Sequence, residues 1–487
     1  MDSTAKDSKS IVDTTNADSG SDVAMGSQEE MSTQHLRSWT SWPTFYRSVL
    51  LQMILFGSLS LVGPAMDDAI SNLGGGGLSS PWLANLANCL NYAFSFLVTL
   101  IGGPLINKLG IKWSCFIAAL SMPLGASSYY TNAKFGIEWY LLTANLVKGI
   151  AGGFLYVAES TAMMSYPRPE DRGFYLGIWT AMRNSGSVIG GAINFSTNSE
   201  TSSAGGITSK TYLIFVGIQC TGVIWALLLS PTSRVRRRDG EKVPMADKMS
   251  WKREFQALWQ FMQKRTTLYM LLPAFYSFFC GGTFGTYLSL HFSVRARALS
   301  SLLVPTIVIP SVLLFGKLLD AQQIPRQTRA WLSFLLWAIP QGGCLIWVAI
   351  EYRVLGEKTA LDYELNTTPW VRAYFPYLIM FVGCYWTQLS LYWILGATSR
   401  DVKESARAGG MFRAAETAGQ AISYGLSSAS GIAVTIPLYV HCGIWVLMMP
   451  SMVMLIRSMP AVRSVEDAGV ITEGVIEEVN HSSTTKA

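Results

Sequence analysis

Chemistry in this chain has to come from polar side chains that interrupt long apolar runs. Asn85, Asn88, Tyr92, Ser95 and Thr99 recur at steps of three, four, three and four inside one such run, so they share a helix face. Arg413, Glu416, Gln420, Ser423 and Ser427 repeat that spacing further on, and Tyr377, Phe381, Tyr385, Gln388 and Tyr392 line a third face. Two cations, Lys148 and Arg183, stand in the middle of runs of their own. A charge in hydrocarbon is expensive, so each needs an acid or a wet cavity; Glu159, Glu416, Asp67 and Asp68 are the acids available. The implied chemistry is reversible binding, with Lys148, Arg183 and Glu416 holding a substrate or a proton. Arg413, Gln420, Asn85, Asn88, Tyr92, Tyr385 and Gln388 then line a shared water-accessible cavity. A structural reading stays open beside it, in which charge pairs lock helices and the polar faces bond to one another without a cavity.

Other chemistries find no constellation. The histidines His35, His291, His441 and His481 are scattered, and none of the seven cysteines has CxxC spacing. Neither a metal site nor a disulfide framework follows. Gly74–Gly77 lacks the Gly-Lys-Ser/Thr ending of a phosphate loop. With no Ser/His/Asp set and no paired carboxylates, the expectation is a protein that is not an enzyme and uses no cofactor.

The elements that position these residues are read from hydropathy. Half of the 487 residues are hydrophobic and 14% are charged, against about 25% in a typical soluble domain. Charge is confined to short stretches between apolar runs of about 20 residues, the length at which a helix crosses a bilayer. Six runs fall in 45–229, the first near 46–66, and six in 268–457. The predicted class is therefore all-α integral membrane, with twelve transmembrane helices in two six-helix halves. Residues 1–44 are too polar to bury a core and read as a disordered tail, with no apolar segment of a signal peptide; 458–487 reads as a second, similarly polar tail. Within the linker 230–267, Trp251, Phe255, Leu258 and Met262 recur at helical steps opposite Lys252, Arg253, Lys264 and Arg265. That pattern predicts an amphipathic helix on the membrane surface; the alternative is a solvated basic linker.

Orientation follows from Lys and Arg. With the amino terminus in the cytosol, 25 of them near the membrane fall on the cytosolic side and seven outside, as the positive-inside rule requires. The net charge of +6 thus follows the bilayer and gives no reason to expect nucleic acid. Both tails are placed in the cytosol, in the plasma membrane or an internal one. Among the sequons, Asn366 lies in a large outer loop, Asn194 at a helix end, and Asn480 in the cytosolic tail; Asn366 and Asn194 are the candidate glycosylation sites.

The stretch Gly103-Pro-Leu-Ile-Asn-Lys-Leu-Gly-Ile-Lys112 resembles the cytosolic signature of the major facilitator superfamily. Gly103, Leu105, Lys108, Gly110 and Lys112 match, while Asn107 stands where the family has an acid. The resemblance implies a loop that acts in conformational switching and here lacks one charge interaction. Gly316, Leu318 and Asp320 keep part of the related loop, and Lys148 with Gly152 resembles the family's arginine-centred motif. Gly177, Gly186 and Gly190 match part of an antiporter glycine pattern, with Gly191 in place of its proline. More closely, the chain resembles the fungal Unc-93-like branch, in Gly63–Gly77, Ala158-Glu-Ser with Ser165-Tyr-Pro and Arg172-Gly173, Phe292–Leu299, and Ala406–Arg413 running into Ala418-Gly-Gln. Glu416 stands where that branch is expected to carry glutamine. The resemblance implies a secondary transporter that moves a small organic molecule by alternating access, with export in exchange for protons as one form. Some relatives regulate channels or receptor trafficking, so a non-transporting adaptor is the alternative; an ion channel lacks a readable filter.

Overall fold

In lipid, backbone N–H and C=O groups have only each other to bond, and apolar runs close into helices. The computed structural model describes residues 45–459, apart from short stretches at 79–80, 169–170, 204, 238–239, 244–249, 357–359, 399–401 and 430–432. The tail expected at 1–44, the tail beyond 459 and Asn480 lie outside the described residues. Among the described residues the chain is helical, with isolated bridges and no strand.

In chain order the first half comprises α1 (Val49–Val62), α2 (Pro64–Ser71), α3 (Pro81–Leu100), α4 (Gly102–Leu109), α5 (Ile111–Phe135), α6 (Glu138–Ser165), α7 (Arg172–Asn198), α8 (Ser209–Cys220) and α9 (Gly222–Leu228). The linker carries α10 (Trp251–Met262). The second half comprises α11 (Arg265–Tyr276), α12 (Cys280–His291), α13 (Val294–Asp320), α14 (Arg326–Leu355), α15 (Thr367–Thr398), α16 (Val402–Ser428) and α17 (Ile436–Arg457). Among the described residues nine passages are long and apolar enough to cross a membrane, or ten if α4 and α5, bent by 109° where they meet, count as one. Helices α7 and α16 are just as long but more polar, because they carry Arg183, Asn184 and Asn194 or Arg413, Glu416 and Gln420.

The first passage runs Val49–Ser71, five residues beyond the apolar window that predicts it. It breaks at Gly63, where φ is −103° and ψ −95°, and restarts with Pro64 in its first turn. A proline is tolerated there because the first-turn N–H has no helical partner to lose. Asp67 and Asp68 therefore lie inside the passage and not at its end: hydropathy drops at two acids whose charges the fold has paired.

The two halves meet most extensively where α7 packs on α13 and α3 on α16. They are closed on each other at both ends. At the linker end, the backbone N–H groups of Gly173 and Phe174 donate to the Asp320 carboxylate at 3.1 and 2.8 Å. At the far end, Asn85 donates to Thr286 Oγ1 and the Ser427 carbonyl, both at 3.1 Å. Gly191 lets α7 approach so closely that a Cβ there would sit 2.3 Å from the Ser301 carbonyl oxygen.

A clamp reinforces the far end. Arg295 donates Nε and Nη2 to the two Asp362 oxygens at 2.7 and 2.6 Å, and Nη1 to Glu364 at 2.6 Å. The backbone around it reaches the first half, with Val294 N donating to Ser203 O and Arg295 N to Thr201 O, both at 3.0 Å. Burial alone would raise the Asp362 carboxyl, but bonds from Arg295, Ser293 and the N–H groups of Glu364 and Leu365 outweigh it and hold it at about 2. A carboxyl depressed in the folded state contributes stability above its ordinary value of about 4 and loses it as pH falls through the folded value. Wild-type protein is thus expected to melt above Arg295→Ala by a constant margin at neutral pH, with the margin shrinking from about pH 4 to pH 2. Melting curves of the two proteins across that range check it.

Candidate functional site

Between the closed ends lies a cavity of about 50 Å³, room for a few waters. Both halves supply its wall: Asp68, Tyr92, Tyr156 and Arg183 come from the first, and Tyr385, Gln388, Arg413, Glu416, Gln420 and Tyr424 from the second. Of the residues that the sequence singles out, it gathers Asp68, Tyr92, Arg183, Phe381, Tyr385, Gln388, Arg413, Glu416 and Gln420.

Helix spacing explains why they converge. Arg413, Glu416 and Gln420 are successive steps along one face of α16, and Tyr385 and Gln388 along one face of α15. Arg413 Nη1 donates to Glu416 Oε1 at 2.5 Å, and Gln388 Nε2 to Glu416 Oε2 at 3.0 Å. The guanidinium carbon sits 5.1 Å from the Tyr156 ring centre and 5.5 Å from that of Tyr392, so two π faces share its charge. Its Nε and Nη2 are buried and have no hydrogen-bond partner. On the opposite wall Arg183 donates Nε and Nη2 to Asp68 Oδ2 at 3.0 and 2.8 Å.

Lys148 is elsewhere. Its Nζ lies 2.8 Å from Asp67 Oδ1, and Gln219 Nε2 donates to the same oxygen at 3.1 Å. This pair lines a smaller adjoining space of about 20 Å³ together with Asn88 and Tyr92. Consecutive aspartates on one short helix thus serve two cations in neighbouring chambers. Asn85 lines neither chamber and belongs to the far-end closure. Glu159, one of the acids available to Lys148 and Arg183, instead accepts from Ser60, which in turn accepts from Trp179 Nε1 at 3.1 Å.

Asp68, counted in the sequence among the acids available to Lys148 and Arg183, pairs with Arg183 on this wall. Two wall residues went unread in the sequence. Tyr156 stands eight residues after Lys148, and Tyr424 four after Gln420, so extending those two stripes would have found both.

The Gly103–Lys112 loop forms α4 and its corner with α5. Gly110 turns that corner with φ +81°, a backbone that glycine adopts without strain, and Lys112 Nζ donates to the Leu227 carbonyl at 2.8 Å. Lys108 Nζ lies 5.5 Å over the Trp251 ring, and Gly103 packs on the Arg407 backbone. The charge interaction implied to be missing at Asn107 is present by another route. Asn107 Nδ2 donates to Glu254 Oε2 at 3.3 Å, and the same oxygen accepts from Arg407 Nη2 at 3.0 Å.

For glycosylation, Asn366 is exposed at the start of α15. Asn194 is buried, donating to the Ala69 carbonyl at 3.0 Å and Ser301 Oγ at 2.9 Å. It has no room for a sugar, and that expectation is corrected: a sequon inside a buried helix face is a packing contact.

The family model of the Major Facilitator Superfamily matches residues 48–424. A notoamide biosynthesis cluster protein O' of Aspergillus versicolor is 33% identical over 82% of this chain and 88% of its own length. UNC93-like protein 1 of Arabidopsis thaliana is 26% identical over 78% of this chain and 84% of its own. An UNC93-like protein of Schizosaccharomyces pombe is 28% identical over 78% and 76%. The solved xylose transporter XylE of E. coli, in a partially occluded inward-open conformation, superposes with a TM-score of 0.58 at 12% identity, covering 85% of this chain and 98% of that one. Two helical halves closed around charged side chains, the matched family model and these relatives agree: the chain belongs to the major facilitator superfamily, in its Unc-93-like branch.

Proposed function

We propose that the chain is a secondary transporter that exports a small organic molecule by alternating access, with the central cavity as its binding site. The observation that carries this reading is the cavity's position. Each half contributes an ion pair to its wall, Asp68–Arg183 from the first and Arg413–Glu416 from the second, and the halves bond to each other at both ends, as expected of a site between repeats midway through its cycle. The tyrosine walls and the two unpartnered Arg413 donors suit a planar, unsaturated molecule that presents hydrogen-bond acceptors. The name of the Aspergillus versicolor relative supports a product of biosynthesis as cargo. Proton exchange is assigned to the Asp67–Lys148 pair, which sits beside the cavity and outside it.

In this reading α7 and α16 complete twelve crossings, the linker end faces the cytosol, and both tails lie there. Asn366 then faces outward. Glycosidase treatment is expected to increase the gel mobility of the expressed protein, and Asn366→Gln to remove the shift. A glycan on Asn480 would invert the topology.

Transport is tested in liposomes loaded with candidate aromatic metabolites under imposed pH gradients. Accumulation that collapses with the gradient supports the reading. No flux under any gradient, together with a stable protein partner, favours the non-transporting adaptor.

A further inference from the structure

The linker helix α10 presents three faces, and two of them have work that the transport cycle alone does not assign. Glu254, Leu258 and Phe261 point into the protein, and Glu254 is only 1% exposed. Trp251, Phe255 and Trp259 form a neighbouring face that is 48%, 44% and 61% exposed, with Lys252 and Arg253 exposed beside it. The outward apolar face differs from the Trp251–Phe255–Leu258–Met262 stripe that the sequence suggests for the membrane side. Leu258 has turned inward and Trp259 takes the outer position.

We infer that α10 couples the linker-end gate to anionic lipid, its aromatic and basic side bound in the headgroup layer while Glu254 holds the two halves together. Glu254 Oε2 is a single acceptor that ties its helix to two others: it accepts from Asn107 at the end of α4 in the first half and from Arg407 on α16 in the second. A second tie runs from Lys264, just past α10, to Glu404 on α16. Both are linker-end contacts, and the Glu254 tie is lost if α10 moves away from that junction. Exposed indole and phenyl rings flanked by cations are the composition that settles at a negatively charged membrane surface. Lipid that fixes α10 therefore also fixes Glu254 against Arg407, and the gate stays shut. The carboxylate of the loop has in effect moved from position 107 to the helix that touches the membrane, which makes closure depend on what the membrane is made of. The inference rests on the linker end facing the cytosol but not on transport.

Hydrogen exchange followed by mass spectrometry tests it, on the full chain in nanodiscs of phosphatidylcholine with and without phosphatidylserine. Phosphatidylserine is expected to slow exchange of 251–262 and of 402–410 together, by about fivefold, the lower bound of an ordinary coupling between two sites. In Glu254→Gln the lipid should still slow 251–262 but no longer 402–410. Adding Asn107→Asp to that variant should restore slow exchange at 402–410 in either lipid, because the charge opposite Arg407 no longer comes from the helix. Trp251→Ser with Trp259→Ser should lose the lipid effect at both segments. Equal exchange of 251–262 in the two lipids would overturn the inference, as would a lipid effect on 402–410 that survives Glu254→Gln. Failure of Asn107→Asp to restore the slow exchange would count against Glu254 acting through its charge.

Discussion

Glu416→Gln is expected to lower transport by at least about tenfold, the loss of roughly 1.4 kcal/mol or more of binding to the moving state. The cause is local. Arg413 and Glu416 are 2% and 3% exposed and bonded at 2.5 Å, and removing one charge of such a pair strands the other, at about 3–5 kcal/mol. Stability and function fall together in the single variant, so it cannot by itself assign a role. The double variant Arg413→Met with Glu416→Gln can, since it leaves no unpaired charge and should recover expression and melting temperature. If the pair engages cargo, transport stays lost after stability returns. Normal flux from the double variant would reduce the pair to a helix lock.

A second large effect is expected at Asp67. Asp67→Asn should abolish accumulation driven by a pH gradient while leaving the exchange of labelled for unlabelled substrate across the membrane. Lys148→Ala should do the same, as the pair bonds at 2.8 Å outside the central cavity. A coupling of about 1–3 kcal/mol between proton and substrate sites corresponds to roughly 5–150-fold in accumulation. Gradient-driven accumulation that survives Asp67→Asn would move the proton site elsewhere, and loss of exchange along with it would place Asp67 at the substrate.

The helical class and the two halves were legible because hydropathy needs only run length, and the family because its loop spells out a backbone requirement at Gly103 and Gly110. The polar stripes on α15 and α16 were legible for the same reason, since spacing alone decides which side chains share a face. What hydropathy hid was charge that the fold neutralises. Asp67 and Asp68 read as the end of a run because their partners are 81 and 115 residues away in sequence. Asn85 sat on the predicted face, yet at the end of its helix it meets the other half instead of the cavity. Glu254 left no trace at all: one acid in a basic amphipathic helix looks like surface until Arg407 is seen beside it.

The break at Gly63 leaves α2 an eight-residue piece carrying both Asp67 and Asp68. Neighbouring residues on a helix diverge by about 100°, so one piece can face two chambers but cannot turn toward them independently. Any tilt that withdraws Asp68 from Arg183 also shifts Asp67 against Lys148. In the proposed cycle, stoichiometry then becomes a property of the backbone: with both carboxylates on one rigid segment, a proton event at Asp67 and a cargo event at Asp68 would be tied one to one, and slippage between them would require α2 itself to unwind.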